Sequence, residues 1–285
     1  MHLVLPPIAT EILAGYIGGS AKTLAFYPLD TMTTLREVRA KQRWGVGQLH
    51  RYYAGCGLTL LGAAPYALIF HAAFWLCETV LADAGLPLAA LKFWASICGA
   101  IAAAAVGVPF EVLKHRMQIG AEAYRTPMRA LTKTMSESGI RGLYVGLGST
   151  LARNVPYNAL HFGLFELIVQ RLRRRFAAAL SPDGCNLLAG ALAGALTALL
   201  TTPMDLVNTR LQTQALEGSS LSNLREGGLV VASNFSGPMD AAVRIVREEG
   251  GPPALWRGAG LRVAQFGPSA CVFFFVYSFV KRVFG

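Results

Sequence analysis

Pro109-Phe110-Glu111 closes one apolar run of the chain, Pro28-Leu29-Asp30 another and Pro203-Met204-Asp205 a third, so a single Pro-x-acid pattern occurs three times. Downstream stand Tyr53-Ala54-Gly55, Tyr144-Val145-Gly146 and Trp256-Arg257-Gly258, and ten residues after each glycine comes a second proline: Pro65, Pro156 and Pro268. The distance from the first proline to the glycine is elastic, 27, 37 and 55 residues in turn. Fixed spacing within segments and variable spacing between them identifies three copies of one unit, joined by segments free to vary on a water face. The copies divide the chain at 1–85, 86–178 and 179–285. Counting back thirteen and nine residues from the first prolines gives Gly15 and Gly19, Ser96 and Ala100, then Gly190 and Gly194. These small-xxx-small pairs are expected to let helix backbones approach closely in lipid.

The solvent follows from composition. Of 285 residues 53% are hydrophobic and only 15% charged, where a soluble domain averages about 25% charged. Residues 52–77, 93–110, 184–204 and 263–280 contain no Asp, Glu, Lys or Arg, and each is close to the ~20 residues that cross a hydrocarbon core. Two further stretches are weaker, because 8–28 holds Glu11 and Lys22, and 148–169 holds Arg153 and Glu166. Charges at such depth are expensive and face a bundle interior or a water-filled path. Each unit reads as helix, aqueous segment, helix. The aqueous segments 127–138 and 238–249 have helical amphipathic spacing, 40–52 leaves little room for a helix, and the third copy carries a polar insert around 217–235 expected to be mobile.

The 26 Lys+Arg against 16 Asp+Glu form no continuous stripe, so nucleic-acid binding is not expected; the excess fits interfacial anchoring on anionic lipid. Cys56, Cys77, Cys98, Cys185 and Cys271 have no CxxC spacing, lie mostly in apolar runs and are expected to be buried free thiols. No removable signal is expected at the N-terminus. Metal-ligand spacing, a nucleophile elbow and a phosphate loop are all missing from the sequence, so an enzyme is not expected.

The threefold Pro-x-acid pattern, in register with aromatic-x-Gly and a second proline, resembles the mitochondrial carrier family over essentially the whole chain. The resemblance implies an all-α membrane protein, with six transmembrane helices in three tandem two-helix repeats around a central cavity open alternately to cytosol and matrix. Pro28, Pro109 and Pro203 would kink the odd helices, so that Asp30, Glu111 and Asp205 pair with bases one turn further on in neighbouring copies. Those base positions hold Lys114 in the second copy but Thr33 in the first and Asn208 in the third. The family pattern then joins Asp205 to Lys114, with Asp30 facing Asn208 and Glu111 facing Thr33. The glutamine braces match at Gln118 and Gln212, with Glu37 in the first copy. On the cytosolic side only Glu166 with Lys281 matches an ion pair, so both gates are expected to be weak.

Family contact points fall seven residues after each glycine, at Gly62, at Arg153 with Asn154, and at Gln265, with Lys22 on the first helix. Arg153 would take a substrate carboxylate bidentately or pair with an acid on a neighbouring helix. Within the family the chain is most similar to carriers of S-adenosylmethionine, through Tyr27-Pro28-Leu29-Asp30-Thr31, the short first aqueous segment, Gly62, Gly142-Leu143-Tyr144 with Ser149-Thr150, Arg153 before Pro156, and Thr202-Pro203-Met204-Asp205. It departs from them at Asn154, where they have Glu, and at Lys22-Thr23, where they have an acid. The resemblance implies an S-adenosylmethionine antiporter of the mitochondrial inner membrane or a plastid membrane. It would be a monomer bound to anionic lipid such as cardiolipin, with no cofactor and no metal. The alternatives are a carrier of another amino acid or small anionic metabolite, and a non-transporting membrane adaptor.

Overall fold

A computed structural model of the chain describes residues 7–38, 46–82, 88–119, 124–176, 181–214 and 235–284. Among these residues there is no strand. The helices run in the order α1 (Pro7–Glu37), α2 (Cys56–Leu81), α3 (Leu88–Gln118), α4 (Pro127–Ser138), α5 (Leu147–Phe176), α6 (Pro182–Thr213), α7 (Pro238–Glu248) and α8 (Ala259–Phe284). Six of them are 26 to 32 residues long, and each of the six holds one interior proline, Pro28, Pro65, Pro109, Pro156, Pro203 or Pro268. Such prolines forfeit a backbone hydrogen bond, a loss membrane helices tolerate when neighbours satisfy the freed carbonyl.

The two short helices occupy the segments whose spacing was amphipathic. Thr126 caps α4, its side chain accepting from the Arg129 N–H at 3.3 Å, with Pro127 opening the first turn. α4 buries Ala130 and Thr134, and α7 buries Ala241 and Ile245. The first copy has instead a 3-10 stretch, Val46–Tyr53. The insert at 217–235 lies outside the described residues except for Phe235, whose N–H donates to Gln214 Oε1 at 3.0 Å.

Each aromatic-x-Gly triplet ends in a left-handed residue, Gly55 at φ 82°, Gly146 at φ 83° and Gly258 at φ 99°. A Cβ there would crowd its own backbone, which is why glycine recurs at the entry to α2, α5 and α8.

Among the described residues three helical stretches are long and apolar enough to cross a membrane: Leu49–Leu81, Trp94–Gln118 and Gly184–Thr213. α2 leaves Leu61, Leu68, Trp75, Leu76 and Val80 exposed, a face suited to hydrocarbon. α6 buries Ala189, Ala193 and Ala198 while exposing Leu188, Leu192, Leu196, Leu199 and Leu200. Small residues turned inward and large ones outward is the membrane pattern, where close packing rather than water exclusion holds helices together.

The chain divides into two compact units. The first comprises Met1–Thr33, Tyr157–Thr202 and Gly258–Gly285, the second Thr34–Pro156 and Pro203–Arg257. In the first, a Cβ on Gly18 would stand 3.1 Å from the Phe273 carbonyl, and one on Gly194 would collide with the Phe266 ring. In the second, a Cβ on Gly99 would stand 2.9 Å from the Phe70 carbonyl, one on Gly107 2.7 Å from Tyr66 and one on Gly62 2.8 Å from Phe110. Gly18 and Gly99 both precede a motif proline by ten residues, and Phe273 and Phe70 both follow a second proline by five, so one close approach is made twice. This corrects the expectation for the first small-xxx-small pair. Gly15 and Gly19 meet nothing within 4 Å, and the tight contact of α1 is at Gly18, one residue off the expected register.

Candidate functional site

Within the second unit the acids of two Pro-x-acid motifs converge on one base. Pro109 and Pro203 precede Glu111 on α3 and Asp205 on α6 by two residues each, and Arg153 lies on α5 three residues before Pro156. Arg153 Nη2 lies 3.4 Å from Glu111 Oε1, and Nη1 lies 3.3 Å from Asp205 Oδ1. Its Nε and Nη2 also donate to Asn154 Oδ1 at 3.3 and 3.2 Å. Five N–H donors in a planar fork let one guanidinium serve all three partners. A charge inside long apolar helices demands such partners, because the desolvation penalty otherwise dominates. His115 Nε2 lies 3.9 Å from Glu111, the charge of Lys114 acts on Glu111, and the Tyr66 phenol is within electrostatic reach of both Arg153 and Glu111.

One turn further along α6, Asn208 stands where the repeat pattern has a base. Its Oδ1 accepts from Ser149 Oγ at 2.6 Å and from Thr150 Oγ1 at 3.1 Å, and Gln212 Nε2 donates to Thr150 Oγ1 at 3.2 Å. The turn at Gly146 allows this closeness, since a Cβ there would stand 3.0 Å from Gln212 Cγ. Thr34 Oγ1 donates to Gln118 Oε1 at 2.9 Å, tying the end of α1 to α3. Gly62 is where α2 receives Phe110 of α3.

The first unit holds Asp30, Thr33, Lys22, Gln265, Glu166 and Lys281, and the second holds Glu37, which is buried. Thr33 Oγ1 donates to the Leu29 carbonyl of its own helix at 2.8 Å. Asp30 is half-buried and engaged, Lys22 is exposed on α1, and Gln265 is half-buried on α8. Glu166 and Lys281 lie on α5 and α8, and their side chains fall outside the described residues.

Sequence reasoning overlooked a second set of charges in the second unit. Arg116 and Arg210 each follow a motif proline by seven residues, where the first copy has Leu35. Arg210 Nη2 reaches both oxygens of Glu249 at 3.0 Å, and Glu249 also takes Arg257. Arg116 Nη1 donates to Thr134 Oγ1 at 3.0 Å and its guanidinium lies 6.0 Å from the Tyr124 ring centroid. Tyr124 in turn donates to Glu137 Oε2 at 2.8 Å. Burial, then the bond to Glu137, pushes the Tyr124 phenol above its ordinary range. The signal was the recurrence of arginine at one offset in two copies.

Long helices with interior prolines, outward leucines and ion-paired arginines near helix ends are the features of a membrane protein with a polar interior. A model of the family described as mitochondrial carrier protein matches residues 88–176 and 182–285. S-adenosylmethionine carrier 1, chloroplastic/mitochondrial, of Arabidopsis thaliana is 34% identical over 95% of this chain and 77% of its own length. The probable S-adenosylmethionine carrier 2, chloroplastic, of the same plant is 32% identical over 96% and 74%. A mitochondrial electrogenic aspartate/glutamate antiporter of Homo sapiens is 30% identical over 95% of this chain but 40% of its own length. The chain belongs to the mitochondrial carrier family, whose members are transporters.

Proposed function

We propose that the chain is an alternating-access antiporter, exchanging S-adenosylmethionine for S-adenosylhomocysteine, with six spans in the three repeats 1–85, 86–178 and 179–285. It is a multi-pass protein of an organelle inner membrane, mitochondrial or plastid. The observation that carries the substrate reading is Arg153 between Glu111 and Asp205. This base occurs in one copy of three, so an asymmetric ligand meets a single fixed cation. An α-carboxylate offers Arg153 the same acceptor atoms that Glu111 and Asp205 do. When it takes the guanidinium, those two acids are released toward the substrate's other charges. A sulfonium suits them; a second carboxylate is repelled.

In this reading Asp30, Glu111 and Asp205, with Lys114, Thr33, Asn208, Gln118 and Gln212, close the matrix side, and Glu166 with Lys281 the cytosolic side. Gly62, Lys22, Asn154 and Gln265 line the substrate path with Arg153. Substrate bound at mid-membrane lowers the barrier between the two open states by favouring the occluded one. The names of the Arabidopsis relatives support the substrate; the aspartate/glutamate antiporter supports a second reading, an acidic amino acid held between Lys22 and Arg153.

Uptake of S-adenosylmethionine into liposomes loaded with S-adenosylhomocysteine tests both. Counter-exchange that Arg153→Ala reduces at least about tenfold in kcat/KM is expected, the equivalent of ~1.4 kcal/mol of transition-state binding. Aspartate uptake in its place would move the assignment to the second reading, and silence with every solute would leave an adaptor. Thr33→Lys, which adds a base to the ring, is expected to slow exchange; an unchanged or faster rate would remove the gate assignment.

A further inference from the structure

Cys77 and Cys98 belong to no motif of the repeat, yet their thiols touch. Cys77 Sγ donates to Cys98 Sγ at 3.2 Å, joining α2 to α3. The contact is the product of helix packing. The antiparallel register that seats Phe110 over Gly62, Tyr66 over Gly107 and Phe70 over Gly99 brings the end of α2 against the beginning of α3. Both cysteines lie four residues inside the apolar spans Leu49–Leu81 and Trp94–Gln118. The expected burial of the cysteines holds at Cys56 and Cys185 but not at Cys98 and Cys271, which are exposed on outward helix faces, while Cys77 is half-buried. Two sulfurs at 3.2 Å need to approach by roughly 1 Å to reach the ~2.0 Å of a disulfide, a shift that rotation about the two Cα–Cβ bonds can supply.

The geometry points to a dithiol that a hydroperoxide converts into an intramolecular disulfide, stapling α2 to α3 and slowing transport until a thiol reductant releases it. One thiol attacks the peroxide O–O bond, becoming a sulfenic acid as the distal oxygen departs as water. The second thiol displaces the hydroxyl as a second water and forms the S–S bond. Two thiols and one hydrogen peroxide therefore yield one disulfide and two waters. A small uncharged oxidant matches sulfurs set inside an apolar span, where a charged disulfide is excluded. The staple acts across the junction of the first and second copies, which alternating access requires to move.

The test uses the full-length protein in liposomes, treated with hydrogen peroxide and then with dithiothreitol. Expected are a cross-linked peptide pair containing Cys77 and Cys98, two hydrogens lighter than the free peptides, a several-fold fall in S-adenosylmethionine uptake, and recovery on reduction. Cys77→Ser and Cys98→Ser should each transport normally and keep their uptake under peroxide. Thermal unfolding in detergent supplies a readout independent of substrate, so failure of the staple is separable from failure of the transport reading. The oxidised wild type should melt higher than the reduced protein, and oxidised Cys98→Ser should not. Free thiols at both positions after peroxide, or a disulfide that leaves uptake unchanged, would overturn the proposal.

Discussion

The ends of α3 and α6 repeat one sequence pattern, and each buries an arginine seven residues after its proline, but they hold that arginine by different means. Arg210 meets a carboxylate directly, through both oxygens of Glu249, which takes Arg257 as well. Arg116 meets the Thr134 hydroxyl, the Gln212 carbonyl at 3.5 Å and the face of the Tyr124 ring, while the nearby carboxylate, Glu137, takes its hydrogen bond from Tyr124. Arg116 Nη2 has no hydrogen-bond partner among the described residues. The third copy concentrates its electrostatics in one buried acid between two bases; the second spreads it along a relay. A concentrated pair fails all at once when one partner goes, because an unpaired buried charge remains, whereas a relay loses one link at a time.

The largest expected break in this comparison is Glu249→Ala. Leaving Arg210 without its buried carboxylate should cost about 3–5 kcal/mol, read as a fall in the melting temperature of the detergent-solubilised protein. A loss below about 1 kcal/mol would mean that Glu249 is screened like a surface acid. Next comes Gly146→Ala, which combines a left-handed backbone with a Cβ 3.0 Å from Gln212; about 2 kcal/mol is expected. Gly139→Ala, at φ 62° and ψ −157° with open space around it, sits in a backbone region that only glycine occupies cheaply and should cost about 2 kcal/mol from backbone strain alone. Thr134→Val removes one link of the relay while leaving Tyr124 in place, with about 1–2 kcal/mol expected.

The smallest effect, about 1 kcal/mol, belongs to Tyr124→Phe, and its pH dependence sharpens the assignment. Because the folded phenol titrates above its unfolded value, its contribution is fully present below about pH 10 and fades as pH rises through the folded value. The stability gap between wild type and Tyr124→Phe should therefore be flat across the neutral range and close only in strong alkali. A gap that varied around neutrality would point to a different titrating group.

Much of the architecture was legible because it rests on local rules. α4 was legible from the amphipathic spacing of 127–138, with Thr126 and Gly139 standing at its two ends in the structure, and the glycine spacing reflects a backbone conformation that only glycine adopts cheaply. The partners of buried charges were less so. The threefold pattern directs attention to bases on the helices that carry the Pro-x-acid motifs, yet Arg153 reaches Glu111 and Asp205 from α5, 52 positions from Asp205 in sequence. Asn208 looked like a lost base, and its use as an acceptor for Ser149 and Thr150 depends on a side-chain approach set by α5. Gly15 and Gly19 satisfied a motif without making its contact, because small-xxx-small spacing fixes a helix face to within a residue and the angle of the partner decides which glycine is used.

The three left-handed glycines at the entries to α2, α5 and α8 have a genetic consequence. Every amino-acid replacement of a glycine installs a Cβ, so Gly55, Gly146 and Gly258 have no conservative substitute. In a saturation screen for transport they should form a sparse set of intolerant positions, away from Arg153, where almost every variant is lost and only Asn or Asp, the residues most tolerant of that backbone region, persists in part.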